Sequence, residues 1–195
     1  MIVLERNKKI ILVSHCILNS NSKVEGLSQY SGILYELVNL IAQKGIGIIQ
    51  LPCPELIMYG IKRWGHVKEQ FDTPYFREKS RELLKPIISQ VIDYQENGYS
   101  ILGVIGIDGS PSCGVNKTCS ANWGGELSGD DKIISKINNI KSLEEPGIFM
   151  EELKKQFEEN KLDIPFTAID EININSNINE VKKLLNEGEI DNEKN

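Results

Sequence analysis

Four cysteines, a glutamate close behind one of them and two histidines are the side chains of this 195-residue sequence best suited to chemistry. Cys16, Cys53 and Cys113 lie far apart in sequence, and Cys119 follows the third. No Cys-x-x-Cys knuckle and no paired histidine motif occurs, so the local pattern of a structural zinc site is missing. Soft thiolates that converge select zinc, cuprous copper or an iron–sulfur cluster. A [4Fe–4S] cubane held by three cysteines leaves one iron without a protein thiolate, an open Lewis acid that seeks sulfur. Glu55, two residues from Cys53, is tethered where a carboxylate can take a proton from water. Ser110, three residues before Cys113, is placed to hydrogen-bond a substrate or a water. Free cysteine also serves as a small buried hydrophobe, the role that best suits Cys119. As a fourth ligand, Cys119 would close the cluster.

Four β-branched, continuously apolar runs predict buried parallel strands: Ile10–Val13, Ile46–Leu51, Ile101–Ile107 and Pro165–Ile169. Helical spacing fills the gaps. Tyr30–Lys44 repeats Leu34, Leu37, Val38 and Ile41 and stops at Gly45. Thr73–Asn97 opens on an N-cap followed by proline. Met150–Asn160 and Ile178–Glu187 complete the set. Strands alternating with helices predict a single α/β domain over 1–195, an open parallel sheet with helices on both faces, Rossmann-like and three-layered. A flexible acidic tail is expected over 188–195. Each of Cys16, Cys53 and Cys113 falls a few residues past the carboxyl end of its own strand, the edge where open parallel sheets bind ligands. Neighbouring strands are about 4.8 Å apart, so three distant cysteines can meet there.

Net charge is −6, which argues against a non-specific nucleic-acid binder, since phosphate neutralisation needs a basic face. No stretch reaches the roughly 20 apolar residues of a membrane span. Met1–Lys9 is short and charged, unlike a signal peptide, so a cytoplasmic protein is expected. In a reducing compartment the cysteines read as ligands or nucleophiles rather than disulfides.

Three local sequences together resemble a known family. Ser14-His15-Cys16-Ile17-Leu18 with Lys23-Val24-Glu25-Gly26, then Leu51-Pro52-Cys53-Pro54-Glu55-Leu56, then Gly109-Ser110-Pro111-Ser112-Cys113-Gly114, resemble in order the motifs of the thiouracil desulfidase (TudS-type) family. The resemblance implies a [4Fe–4S] cluster on Cys16, Cys53 and Cys113, whose free iron takes the substrate sulfur. It also implies a non-redox, hydrolytic removal of sulfur from a thiolated pyrimidine base or nucleoside, with Glu55 as acid/base and Ser110 as its helper. The chain departs from the family pattern at His15, at Lys23-Val24 and at Met58-Tyr59-Gly60, with Lys62-Arg63 standing in for a basic segment. Cys119, Trp123 and Gly124-Gly125 also depart from it. Trp64, Trp123 and Tyr59 are candidates to stack on a planar base.

Other functions fit less well. A cysteine phosphatase needs Cys-x5-Arg, and the sixth residues after Cys16 and Cys113 are Ser22 and Cys119. No Gly-x-Gly-x-x-Gly follows the first strand, which removes the dinucleotide-binding reading. A non-enzymatic iron–sulfur sensor or carrier is the alternative that stays open.

Overall fold

The computed structural model describes residues 5–126, 128 and 132–190. Its strands are β1 (Lys9–Ser14), β2 (Gly47–Leu51), β3 (Ser100–Ile107), β4 (Thr118–Ser120), β5 (Lys141–Leu143) and β6 (Phe166–Ile169). Its helices are α1 (His15–Leu18), α2 (Tyr35–Gln43), α3 (Pro54–Tyr59), α4 (Lys68–Phe71), α5 (Pro74–Glu96), α6 (Ile133–Asn138), α7 (Ile148–Glu159) and α8 (Ile174–Ile190). A 3-10 turn covers Ser20–Ser22.

Four strands form one all-parallel sheet in the order β2-β1-β3-β6, and β4 and β5 pair antiparallel beside it. Successive residues of a strand face opposite sides, so the apolar run of β1 serves two cores at once. Ile10 and Leu12 pack with Ile49 and Val104 under Leu84, Ile88 and Val91 of α5 and Phe149 and Leu153 of α7. Ile11 and Val13 pack with Ile105 under Leu37 and Ile41 of α2 and Val181 and Leu185 of α8. Helices thus cover both faces of the parallel sheet, the expected Rossmann-like three-layer arrangement.

Boundaries depart from the sequence pattern where tertiary contacts compete. The helix expected from Tyr30 begins at Tyr35. Residues 30–32 are held instead by the turn after Cys16: Ser20 donates its N–H to Gly32 O (2.6 Å) and its hydroxyl to Tyr30 O (3.0 Å). The last helix starts earlier than Ile178 and runs to Ile190, so residues 188–190 of the expected flexible tail are helical. Residues 191–195 lie outside the described residues. Among the described residues, no helix is long and apolar enough to cross a membrane.

Candidate functional site: three thiols and a clamped carboxylate at the sheet edge

In the parallel pair β1–β2, Ser14 stands opposite Leu51. Cys16 and Cys53 each follow two residues later, so register alone carries both past the same edge. Cys16 sits in α1, and the hydroxyl of Tyr30 donates to its carbonyl (3.0 Å). Cys53 is the N-cap of α3, and its sulfur accepts the Leu56 N–H at 3.4 Å. Pro54 starts that helix with φ preset. Cys113 reaches the same rim because the chain folds back after β3, Ile107 N–H donating to the Cys113 carbonyl at 3.0 Å.

The thiols lie near enough to act on one another. Burial pushes Cys16 up to about 12, with Cys53, Glu171 and Glu55 adding and Lys23 opposing. Burial also raises Cys113 strongly, and the charges of Cys16 and Cys53 raise it further. Cys53 is raised by burial against the opposing Leu56 N–H. All four cysteines are free thiols, with Cys113 buried and the other three half-buried.

The Cys113 loop is held from two sides. Ser110 Oγ accepts the Cys113 N–H (3.0 Å) and the Ser112 N–H (3.3 Å), which closes the turn. The first amides around α7 supply the other side: Gly147 N–H to Gly114 O, Ile148 N–H to Pro111 O and Met150 N–H to Ser112 O, at 3.0, 3.0 and 3.1 Å. Helix N-terminal amides have no intrahelical partners, so loop carbonyls satisfy them. Two glycines make the approach possible. A β-carbon on Gly114 would meet Lys117 O at 2.1 Å, and one on Gly147 would meet Ser112 C at 2.5 Å.

Glu55 is buried at the first turn of α3. Its Oε1 accepts the Ser112 hydroxyl at 2.6 Å, and its Oε2 accepts Arg63 Nε–H at 3.2 Å. Ser112 Oγ is 3.5 Å from Cys113 Sγ and 3.3 Å from Ser110 Oγ. Ser110, expected to hydrogen-bond a substrate or a water, reaches the carboxylate through Ser112.

The remaining candidates are distributed around this centre. Gln50 Nε2 lies 2.5 Å from His15 Nδ1, and burial lowers the pKa of that imidazole. The His66 ring packs against Tyr59 and Phe71 (centroids 4.9 and 4.8 Å apart), and burial lowers its pKa too. Cys119 turns its sulfur to the His66 carbonyl at 3.5 Å. The Trp123 indole donates to Lys136 O (2.9 Å). Trp64 is 79% exposed and lines a groove of about 1000 Å³ with Lys23, Tyr30, Ile61, Lys62 and Arg63. Lys23 pairs with Glu171 and lies over the Tyr30 ring at 5.0 Å.

A protein-family model described as "Putative 2-thiouracil desulfurase" matches residues 8–126, a span that holds all four cysteines, Glu55, Arg63 and Ser112. This chain belongs to that family. A relative in Methanocaldococcus jannaschii, the uncharacterized protein MJ0003, is 42% identical over 142 residues, covering 72% of this chain and 88% of its own. No solved structure matches the chain. The desulfurase-family match ends before α6, β5, α7, β6 and α8, yet α7 is what holds the Cys113 loop from behind.

Sequence reasoning gave Ser112 and Arg63 no part in holding Glu55. Ser112 had one signal, its place within the Ser-Pro-Ser-Cys segment. Arg63 had another, a guanidinium eight residues after a candidate catalytic acid. Neither signal says where the side chain ends up.

Proposed function

We propose that the protein releases sulfide from a thiolated pyrimidine base or nucleoside of the thiouracil type by hydrolysis, in the cytoplasm, with a [4Fe–4S] cluster on Cys16, Cys53 and Cys113. The observation that carries this is the buried Glu55, hydrogen-bonded through Ser112 to the neighbourhood of Cys113 Sγ at the rim where the three thiols gather.

The donor set fits such a group. Three soft thiols act on one another at this rim, and soft sulfur is the donor type an iron–sulfur cluster takes. Burial raises the pKa of all three thiols, and iron, when bound, would offset this by stabilising the thiolates.

When bound, the cluster supplies a thiophilic Lewis acid to the substrate sulfur. The chain supplies the rest. Glu55 accepts a proton as the water oxygen bonds to the thiocarbonyl carbon. It returns that proton to the departing sulfur as the carbon–sulfur bond breaks, and the proton on the added hydroxyl passes to the same sulfur as the carbonyl forms, so a carbonyl and hydrogen sulfide replace a thiocarbonyl and water with no net oxidation. Ser112 and Arg63 each hold one carboxylate oxygen by one donor, which leaves further lone pairs for the water. Trp64 and Ile61 offer apolar surface along the groove beside this centre.

The test is anaerobic reconstitution with iron and sulfide, followed by incubation with 2-thiouracil and 4-thiouracil while sulfide and uracil are measured. Wild-type protein is expected to release both, and Glu55→Gln to keep its iron and lose turnover. A loaded wild-type protein that frees no sulfide from any thiolated base or nucleoside would replace this reading with the sensor or carrier.

A further inference from the structure

Arg63 is half-buried as a residue but its side chain is only 3% exposed, and its guanidinium spends donors on three acceptors in two segments. Nε–H goes to Glu55 Oε2 on α3 (3.2 Å), Nη1–H to Gly60 O at the end of α3 (3.1 Å), and Nη2–H to Ser22 O (2.7 Å). Ser22 belongs to the turn that follows Cys16, and that turn is itself pinned, its hydroxyl donating to Asn19 O at 2.8 Å. Glu55 thus stands on the Cys53 helix, is held by the Cys113 loop through Ser112, and is held by the Cys16 loop through Arg63. All three cysteine-bearing segments fix one carboxylate.

We propose that Arg63 is a positioning residue, which sets the Glu55 carboxylate relative to the three cysteines by tying it to the loop after Cys16. The geometry calls for arginine and not merely a positive charge. Three acceptors in three directions match the rigid fork of a guanidinium, whereas an ammonium on a flexible stem cannot keep all of them. The inference rests on the desulfidase reading for its catalytic consequence, and on the hydrogen bonds alone for the strap.

The experiment uses the cluster-loaded protein under anaerobic conditions with 4-thiouracil. Arg63→Lys is expected to keep its iron and sulfide content and its KM, while kcat falls about 100-fold, the cost of displacing a reacting group by roughly 1 Å. In Arg63→Ala, low-millimolar guanidinium is expected to restore kcat at least about tenfold, a rescue that Glu55→Gln does not share. Wild-type kcat in Arg63→Lys, or a kcat loss matched by an equal loss of cluster, overturns the proposal. If the alanine variant does not fold, the lysine variant decides.

Amide deuterium exchange on the cluster-free protein separates this inference from the activity. Arg63→Lys is expected to speed exchange over residues 20–24 and 54–60 on the order of tenfold, through local opening. Unchanged exchange overturns the strap whatever the activity. Faster exchange in a protein whose wild type frees no sulfide retires the activity reading and leaves the strap standing.

Discussion

Replacing Gly147 with alanine tests whether α7 sets the position of Cys113. Gly147 has φ −73°, so its backbone conformation suits any residue and only space is at issue. The new β-carbon would lie 2.5 Å from Ser112 C, 2.6 Å from Ser112 O and 2.8 Å from Pro111 C. All three are backbone atoms and cannot rotate away. Ordinary contact between carbons begins near about 3.5 Å, so helix and loop must part by roughly 1 Å. That movement stretches three hydrogen bonds, now 3.0, 3.0 and 3.1 Å long, past useful length. Overpacking and the lost bonds together cost about 4 kcal/mol. For a chain of this size that lowers Tm by roughly 8–16 °C. The displaced loop also carries Ser112 away from Glu55 and Cys113 away from its neighbours, so iron retention after reconstitution should fall too. Calorimetry and iron analysis read both effects. Gly65→Ala is the control: its nearest new neighbour would be a Trp123 ring carbon at 4.0 Å, and its stability should hold to within the usual surface-substitution range of about 0.5 kcal/mol, roughly 1–2 °C in Tm. A Gly147→Ala protein with wild-type Tm and iron content would refute the reasoning.

Two further outcomes are expected away from the Glu55 carboxylate. Burial raises the Glu152 carboxyl, but hydrogen bonds from Arg77 (2.7 Å), Arg81 (2.9 Å) and Lys155 (3.3 Å) outweigh it and bring its pKa below the ordinary value. A depressed folded pKa means the stabilisation is complete above the unfolded value of about 4.3 and is lost as pH falls through the folded value. The Tm gap between wild type and Glu152→Gln should therefore be widest near neutrality and shrink below about pH 4; a gap that stays constant down to pH 3 contradicts the assignment. Cys119, its thiol pushed up to about 11 mainly by burial, should be replaceable: Cys119→Ser keeps full iron and sulfide content after reconstitution, whereas Cys113→Ser loses it. Equal iron loss in both variants would make Cys119 a ligand.

The strands could be read from sequence because strands buried on both faces need unbroken apolar runs, as in Ile101–Ile107. The placement of Cys16 and Cys53 followed from the same logic, since equal offsets past paired strand ends leave little choice. The start of α2 could not be read. Helical spacing continues back to Tyr30, but the Ser20 turn claims those backbone groups, and local periodicity cannot register a competitor ten residues away. The short ribbon of β4 and β5 escaped because three-residue strands carry too little pattern. Ser110 and Ser112 are two residues apart in one motif, and the motif does not say which hydroxyl meets a glutamate 57 residues back from Ser112.

By itself the sequence determined the parallel α/β layering and the delivery of three cysteines to one edge of the sheet, because unbroken apolar runs and strand-end offsets are local properties of the chain. Only the tertiary structure decided that Glu55 is gripped by Ser112 and Arg63, and that α7 braces the Cys113 loop from behind. Those contacts join segments far apart in sequence, and directional hydrogen bonds between them exist only once packing has set distance and angle together.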